Sequence, residues 1–188
     1  MKTRQRVVVT GRGVVSPVGN SISEYWRGLS NGNSGVGKIT EFDPLKSGCR
    51  IAGIVKDYDV DAHFKFREKK RYERFTQFGL VAALQAAEEA KLQELESDSG
   101  NIGVIMGTGV GGITSYSRVY DALFSGPDER PIDTYTIPRI MNSAVSSAIS
   151  IRLGFRGPNF TLNTACSSGA NAIGQAMQWV REGRLRAV

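Results

Sequence analysis

A chain of 188 residues with 40% hydrophobic and 22% charged residues is long enough for one domain with a real core. Its net charge of +6 is modest and comes with no basic stripe interleaved with aromatics, so nucleic acid is not an expected partner. Two cysteines far apart, Cys49 and Cys166, exclude a disulfide scaffold and paired zinc ligands, and no stretch is apolar for long enough to cross a bilayer, so a cytoplasmic protein without a membrane partner is expected.

Arg6 to Val9 reads as a first buried strand, and the turn chemistry of T-G-R-G and V-V-S-P-V-G-N comes after it. Only three valines stand after the basic Met1 to Arg6, too few for a signal-peptide core. Ser21 or Ser23 is placed to cap a helix running through Trp26 and Leu29, with Glu24 near its start. Asn31 to Gly37 is a loop, and Ile51 to Val55 a second strand. The ligand-type side chains of D-Y-D-V-D-A-H, Asp57 to His63, fit caps and turns better than a metal site. His63, the only histidine, is assigned no role.

The basic run Arg67 to Arg74 leads into apolar positions at helical spacing from Phe75 to Ala90. Read as one helix, this puts positive charge at its start, against the dipole. Asn101 to Met106 is a strand, followed by G-T-G-V-G-G and a helix from Ile113 to Phe124. Gly107, Gly109 and Gly112 formally satisfy the dinucleotide fingerprint. The context fails, because loop comes after the helix, although Asp128 and Glu129 are acidic. Pro138 to Leu153 reads as one helix closed by Gly154, with small residues along one face. Arg184 to Val188 begins one more buried strand.

The stretch that carries chemistry lies between these last elements. Asn159 to Thr164 reads as a short strand, and Ala172, Ile173, Ala176, Met177 and Val180 fall at helical spacing. Between them stand Cys166, Ser167, Ser168 and Gly169, a cluster small enough for a sharp turn. The turn leaves Cys166 beside a helix N-terminus, which favours negative charge, and the thiolate is the reactive form of a cysteine. That is a nucleophile elbow with sulfur in place of a serine oxygen. The residues alone leave a cysteine packed as a small hydrophobe equally open.

T-A-C-S-S-G at the head of a small-residue helix resembles the active-site motif of the β-ketoacyl-acyl-carrier-protein synthases, the condensing enzymes of fatty-acid and polyketide synthesis. V-V-V-T-G-R-G-V-V-S-P-V-G-N resembles the opening of the elongating members, of the KAS II type, independently of the cysteine. R-G-P-N-F-T-L-N-T-A-C matches their approach to the nucleophile. The resemblance covers essentially the whole chain but only the N-terminal half of a family member. It implies an α/β chain, half of a thiolase fold, with a mixed five-strand sheet flanked by helices and truncated in its last strand. The domain 1–188 is then an incomplete β-ketoacyl synthase domain whose C-terminal half is absent.

The activity implied is acyl transfer. Cys166 takes an acyl group from a phosphopantetheine thioester, and decarboxylation of malonyl carrier protein gives the carbanion that attacks it. Cys166 N–H is one candidate oxyanion donor. The other donor, two histidines and a lysine lie in the family's second half, so this chain alone is expected to be inactive as a synthase. Val110 falls where a bulky apolar residue gates acyl length. Arg67, Lys70 and Arg71, on one helical face, fall at positions that dock the acidic acyl carrier protein. No cofactor is bound; phosphopantetheine arrives on the carrier protein. The complete enzyme is expected to be a homodimer, and the isolated half to expose an apolar face.

A non-catalytic partner akin to chain-length factors is the alternative, but those lack the cysteine. The thiolases of degradation carry their nucleophile nearer the N-terminus. An initiating synthase is disfavoured by the V-V-V-T-G-R-G and G-T-G-V-G-G matches.

Overall fold

A computed structural model describes residues 5–44, 48–124 and 132–188. Its elements run α1 (Ile22–Ser30), β1 (Val36–Lys38), β2 (Ile51–Gly53), α2 (Val60–His63), α3 (Phe66–Arg71), α4 (Arg74–Glu89), β3 (Val104–Gly107), α5 (Ile113–Phe124), α6 (Thr136–Ile140), α7 (Ala144–Leu153), β4 (Asn159–Leu162) and α8 (Ser168–Arg181). A run of 3₁₀ turns, Leu92–Asn101, joins α4 to β3.

The organising unit is the parallel pair β3–β4, in register from Val104 opposite Asn159 to Gly107 opposite Leu162. Parallel neighbours need a long crossover, here supplied by α5, α6 and α7. Beyond β3 the chain's last residues lie alongside: Gly103 N–H donates to Ala187 O at 3.0 Å, and Ile102 bridges Ala187 in parallel. Leu185 is buried there, and of the strand expected from Arg184 only this single bridge at Ala187 forms.

Helices cover this sheet. Leu80 and Val81 of α4 meet Val145, Ala148 and Ile149 of α7 and Val104 of β3 in one buried cluster, closed by Phe64. Polar anchors fix α7 to β4: Asn159 Nδ2 donates to Ser146 O at 2.8 Å and to Ser150 Oγ at 2.6 Å. On the other side α8 packs on β4 through Trp179 and Phe160, ring centroids 5.3 Å apart.

Several local expectations hold. Ser21, and not Ser23, caps α1, accepting from Glu24 N–H, while the Glu24 carboxylate accepts from Asn20 N–H. Asp59 caps α2 by accepting from Asp61 and Ala62 N–H, so the acidic loop around His63 is turn chemistry. Gly154 ends α7 at φ +70°. Apolar side chains are exposed on two helices, Tyr116, Tyr120, Leu123 and Phe124 on α5 and Ile173 and Met177 on α8.

The sheet differs from the five strands expected. Arg6 to Val9 joins no ladder among the described residues, and Val8 and Val9 are 63% and 80% exposed. A valine run favours a strand only where a neighbour supplies hydrogen bonds and cover, and neither is present there. The residues just beyond the valines are tightly seated instead. Gly11 and Gly13 lie so close to α4 that a Cβ on either would stand within 2 Å of Ala86 O or Ala82 O. Arg12 also pairs with Glu89 of α4, and its hydrogen bonds hold that carboxyl below its usual range. Ile51 to Gly53 forms its own antiparallel ladder with β1, Val36 opposite Gly53, with Ile51 and Val36 exposed.

Two helices expected to be continuous are broken. Tyr72, at φ −103° and ψ 127°, separates α3 from α4, and Met141, at φ −65° and ψ 135°, separates α6 from α7. The first break reverses the reading of the basic run. Lys69, Lys70 and Arg71 sit in the last turn of α3, where positive charge complements the dipole.

Tyr58, packed edge-to-face on Phe78 at 4.9 Å, has a buried hydroxyl with no partner among the described residues. Burial pushes its phenol up to about 12, against a smaller lowering by Arg74. The folded state therefore holds the proton after the unfolded chain has released it. The stability this gives is complete below pH 10 and lost as pH rises from about 10 to about 12. Tyr58→Phe is expected to flatten that alkaline decline and, by removing an unpaired buried hydroxyl, to raise stability at pH 7 by about 1 kcal/mol. Urea melts at pH 7, 10 and 11.5 measure both.

Candidate active site

Both parallel strands end at the same edge, and each hands over to a turn there. After β4 the chain passes Asn163 and Thr164 into a single 3₁₀ turn, Ala165–Ser167, and then into α8. Cys166 stands one residue before the Ser167 N-cap of α8 and is exposed. Ala165 holds φ +52°, the left-handed region that a side chain resists, so the residue before the cysteine carries the strain of the corner. The helix starts at Ser168, ahead of the apolar spacing that begins at Ala172, so Ser168 and Gly169 of the small-residue cluster already belong to it.

Small polar side chains lock this corner. Ser168, buried, accepts from Thr164 N–H at 2.9 Å, and its hydroxyl lies 2.7 Å from Ala165 O and 3.1 Å from Thr108 O. Ser167 donates to Thr164 O at 2.7 Å, and Asn171 Nδ2 to Thr164 Oγ1 at 2.7 Å. Spacing singles out none of Thr164, Ser168 and Asn171 individually. The signal the sequence does carry is the density of hydroxyl and amide residues around the cysteine.

The turn after β3 is bound to the same corner. Thr108 N–H donates to Leu162 O at 3.1 Å, and Asn163 Nδ2 to Gly109 O at 2.9 Å. Val110, 65% exposed, thus lies on a turn hydrogen-bonded to the segments on both sides of Cys166. Ligand sites in parallel α/β sheets gather outside the carboxyl ends of the strands, which is where this edge lies.

The glycine turn does not present a bare helix N-terminus to a phosphate. Glu73, at the head of α4, accepts from Ser115 N–H at 2.8 Å in the first turn of α5 and occupies that position with its own carboxylate. Arg139 O and Ile140 crowd Gly112 from α6. Asp128 and Glu129 lie outside the described residues.

The three basic residues singled out by sequence are on α3, away from the cysteine in sequence. Five bases crowd this region, and their surroundings divide them. Lys69 pairs with Asp61, and Arg74 lies 3.7 Å from Glu41. Arg67, Lys70 and Arg71 meet no carboxylate among the described residues. Lys70 Nζ rests 4.5 Å from the centre of the Phe66 ring, and the Arg71 guanidinium 5.7 Å from that of Tyr72.

A helix-covered parallel pair with a cysteine at its carboxyl edge is an α/β arrangement, and its likeness to solved ketosynthases makes it part of a thiolase-type fold. One solved structure with this architecture, the ishigamide ketosynthase/chain length factor, superposes with a TM-score of 0.86 at 28% identity, over 97% of this chain and 46% of that one. A type II polyketide synthase acyl-carrier protein in complex with its ketosynthase gives a TM-score of 0.71 at 21% identity, over 97% and 48%, and speaks for the fold alone.

The chain belongs to the β-ketoacyl synthase family: residues 4–188 match its profile, described as the beta-ketoacyl synthase N-terminal domain. The 3-oxoacyl-[acyl-carrier-protein] synthase 2 of Synechocystis sp. is 39% identical over 98% of the chain. The chain spans about 44% of that relative's length. Among the described residues no helix is long and apolar enough to cross a membrane.

Proposed function

We propose that this chain is the acyl-accepting part of a 3-oxoacyl-acyl-carrier-protein synthase, with Cys166 as its nucleophile. The observation that carries the reading is the placement of an exposed cysteine at the strand-to-helix corner, in a chain of this family. Cys166 Sγ attacks the carbonyl of a phosphopantetheine thioester. A new Sγ–C bond forms, the C–S bond to pantetheine breaks, and the pantetheine sulfur leaves with the proton. Cys166 N–H has no acceptor among the described residues and is available to the oxyanion of the tetrahedral intermediate. Val110, on the adjoining turn, meets the acyl chain and limits its length.

Condensation then needs donors for the enolate formed when malonyl carrier protein loses carbon dioxide, and the family keeps these in its second half. The step assigned to this chain's own residues is therefore acyl loading. Incubated with an acyl-carrier thioester, the protein is expected to carry the acyl mass on the peptide containing Cys166. Acyl mass on Cys49, or on neither cysteine, would overturn the assignment. The cysteine also favours a catalytic subunit over a chain-length-factor-like partner.

The acidic acyl carrier protein docks on Arg67, Lys70 and Arg71, the bases of α3 whose charge no neighbour consumes among the described residues. Reversing all three to glutamate is expected to weaken carrier binding at least about tenfold without lowering the melting temperature. Unchanged affinity in calorimetry would refute the docking face. The complete synthase is a cytoplasmic homodimer in this reading, and the exposed apolar side chains of α5 and α8 are available to the second half of the fold.

A further inference from the structure

We propose that Arg139 and Arg152 are positioning residues for carrier docking: they hold α3 in place so that Arg67, Lys70 and Arg71 meet one partner together. The inference rests on the docking reading above and adds to it what keeps the docking face in shape.

Six residues are too few for a helix to stand by itself in water. Packing does not supply the difference, because α3 buries none of its residues. It is fastened by polar contacts on both sides instead. At its C-terminal end, Lys70 O accepts from Arg139 Nε at 2.7 Å and from Nη2 of the same guanidinium. A cation on a terminal carbonyl satisfies an acceptor the helix leaves open and complements the dipole. Arg139 is itself aimed by Asp133, which accepts from Nη2 at 2.7 Å. Asp133's carboxyl is held below its usual range, chiefly by Tyr135 N–H and also by Arg139.

On the other side, Glu68 works in two directions. Its Oε2 accepts from Lys65 N–H at 3.0 Å, just ahead of the helix, and its Oε1 from Arg152 Nη2 at 2.6 Å. Arg152 extends from α7, a core helix, and lies over the buried Phe64 ring at 5.7 Å. Each arginine thus ties α3 to a different helix, and each has its charge matched by a carboxylate, Asp133 or Glu68. With side chains only 20% and 29% exposed, they are supports and not docking cations.

The test measures binding of a holo acyl carrier protein to the protein by calorimetry, with amide exchange of α3 followed in parallel. Arg139→Met is expected to weaken binding about fivefold and to speed exchange at Lys69 to Tyr72, leaving α4 and α7 protected. Arg139→Lys, which keeps a donor and the charge, is expected to recover part of both. Arg118→Met on α5 removes an exposed charge elsewhere and is expected to change neither.

The triple reversal of Arg67, Lys70 and Arg71 separates the two readings. If it abolishes binding while Arg139→Met leaves affinity unchanged, positioning is wrong and docking stands. If the triple reversal has no effect, the docking face falls and this inference with it. Should Arg139→Met unfold the whole chain, Arg152→Gln tests the other tether, and unchanged affinity there overturns the proposal equally.

Discussion

In folded protein at pH 7, iodoacetamide is expected to modify Cys166 at least about tenfold faster than Cys49. Accessibility alone predicts no difference, since both thiols are exposed. The two differ in what surrounds the sulfur. Cys49 Sγ donates to Ile51 O at 3.2 Å, so its S–H is engaged by a backbone carbonyl. Cys166 stands just ahead of the α8 N-terminus, on a corner whose carbonyls at Ala165 and Thr164 are already engaged by Ser168 and Ser167. A helix N-terminus stabilises negative charge that develops beside it, and sulfur attacks the reagent as an anion. Peptide mapping after timed quenching gives both rates in one sample. Equal rates in native protein would sink the nucleophile assignment. In urea the helix is gone and the two rates should converge, which distinguishes an effect of the fold from one of the flanking residues.

The parts of the fold legible in the sequence are those whose signals are local. Ser21 with Glu24 announces α1, Ile113 to Phe124 shows its periodicity without interruption, and glycine after Leu153 closes α7. The corner at Cys166 is legible because small residues stand between a short alternating stretch and a helical one. The features that escape such reading depend on partners distant in sequence. Tyr72 and Met141 carry no glycine or proline beside them to announce a break. Tyr72 is instead held extended where Gln77 Nε2 reaches back to its carbonyl at 3.0 Å. The valines of Arg6 to Val9 read as strand by propensity, yet no neighbour among the described residues supplies a ladder. The docking bases stand out by resemblance. Only the contacts of Lys69 with Asp61 and of Arg74 with Glu41 separate them physically from the rest of the run. Glu73, Arg139 and Arg152 are invisible as a group, because what they join is set by tertiary structure.

Gly107→Ala is expected to cost about 3 kcal/mol of stability and to uncouple the cysteine corner from the sheet, while Gly109→Ala two residues away costs almost nothing. Gly107 is the last residue of β3, and its backbone runs directly against the first turn of α8. A Cβ there would lie 2.3 Å from Ser168 O, 2.4 Å from Ser168 C and 2.6 Å from Gly169 N. All three are backbone atoms, so no rotamer change relieves the contact, and strand and helix must separate. Separation strains the hydrogen bond between the Ser168 hydroxyl and Thr108 O and, through the same oxygen, the one from Thr164 N–H. Those two bonds hold the segments on either side of Cys166, so the preference for alkylating Cys166 over Cys49 should shrink along with the urea midpoint. Gly109 has open space where its Cβ would be and no positive φ, so alanine there fits without strain. A Gly107→Ala protein with the native midpoint and native labelling preference would mean that β3 does not support the nucleophile turn, and that the corner is held by α8 alone.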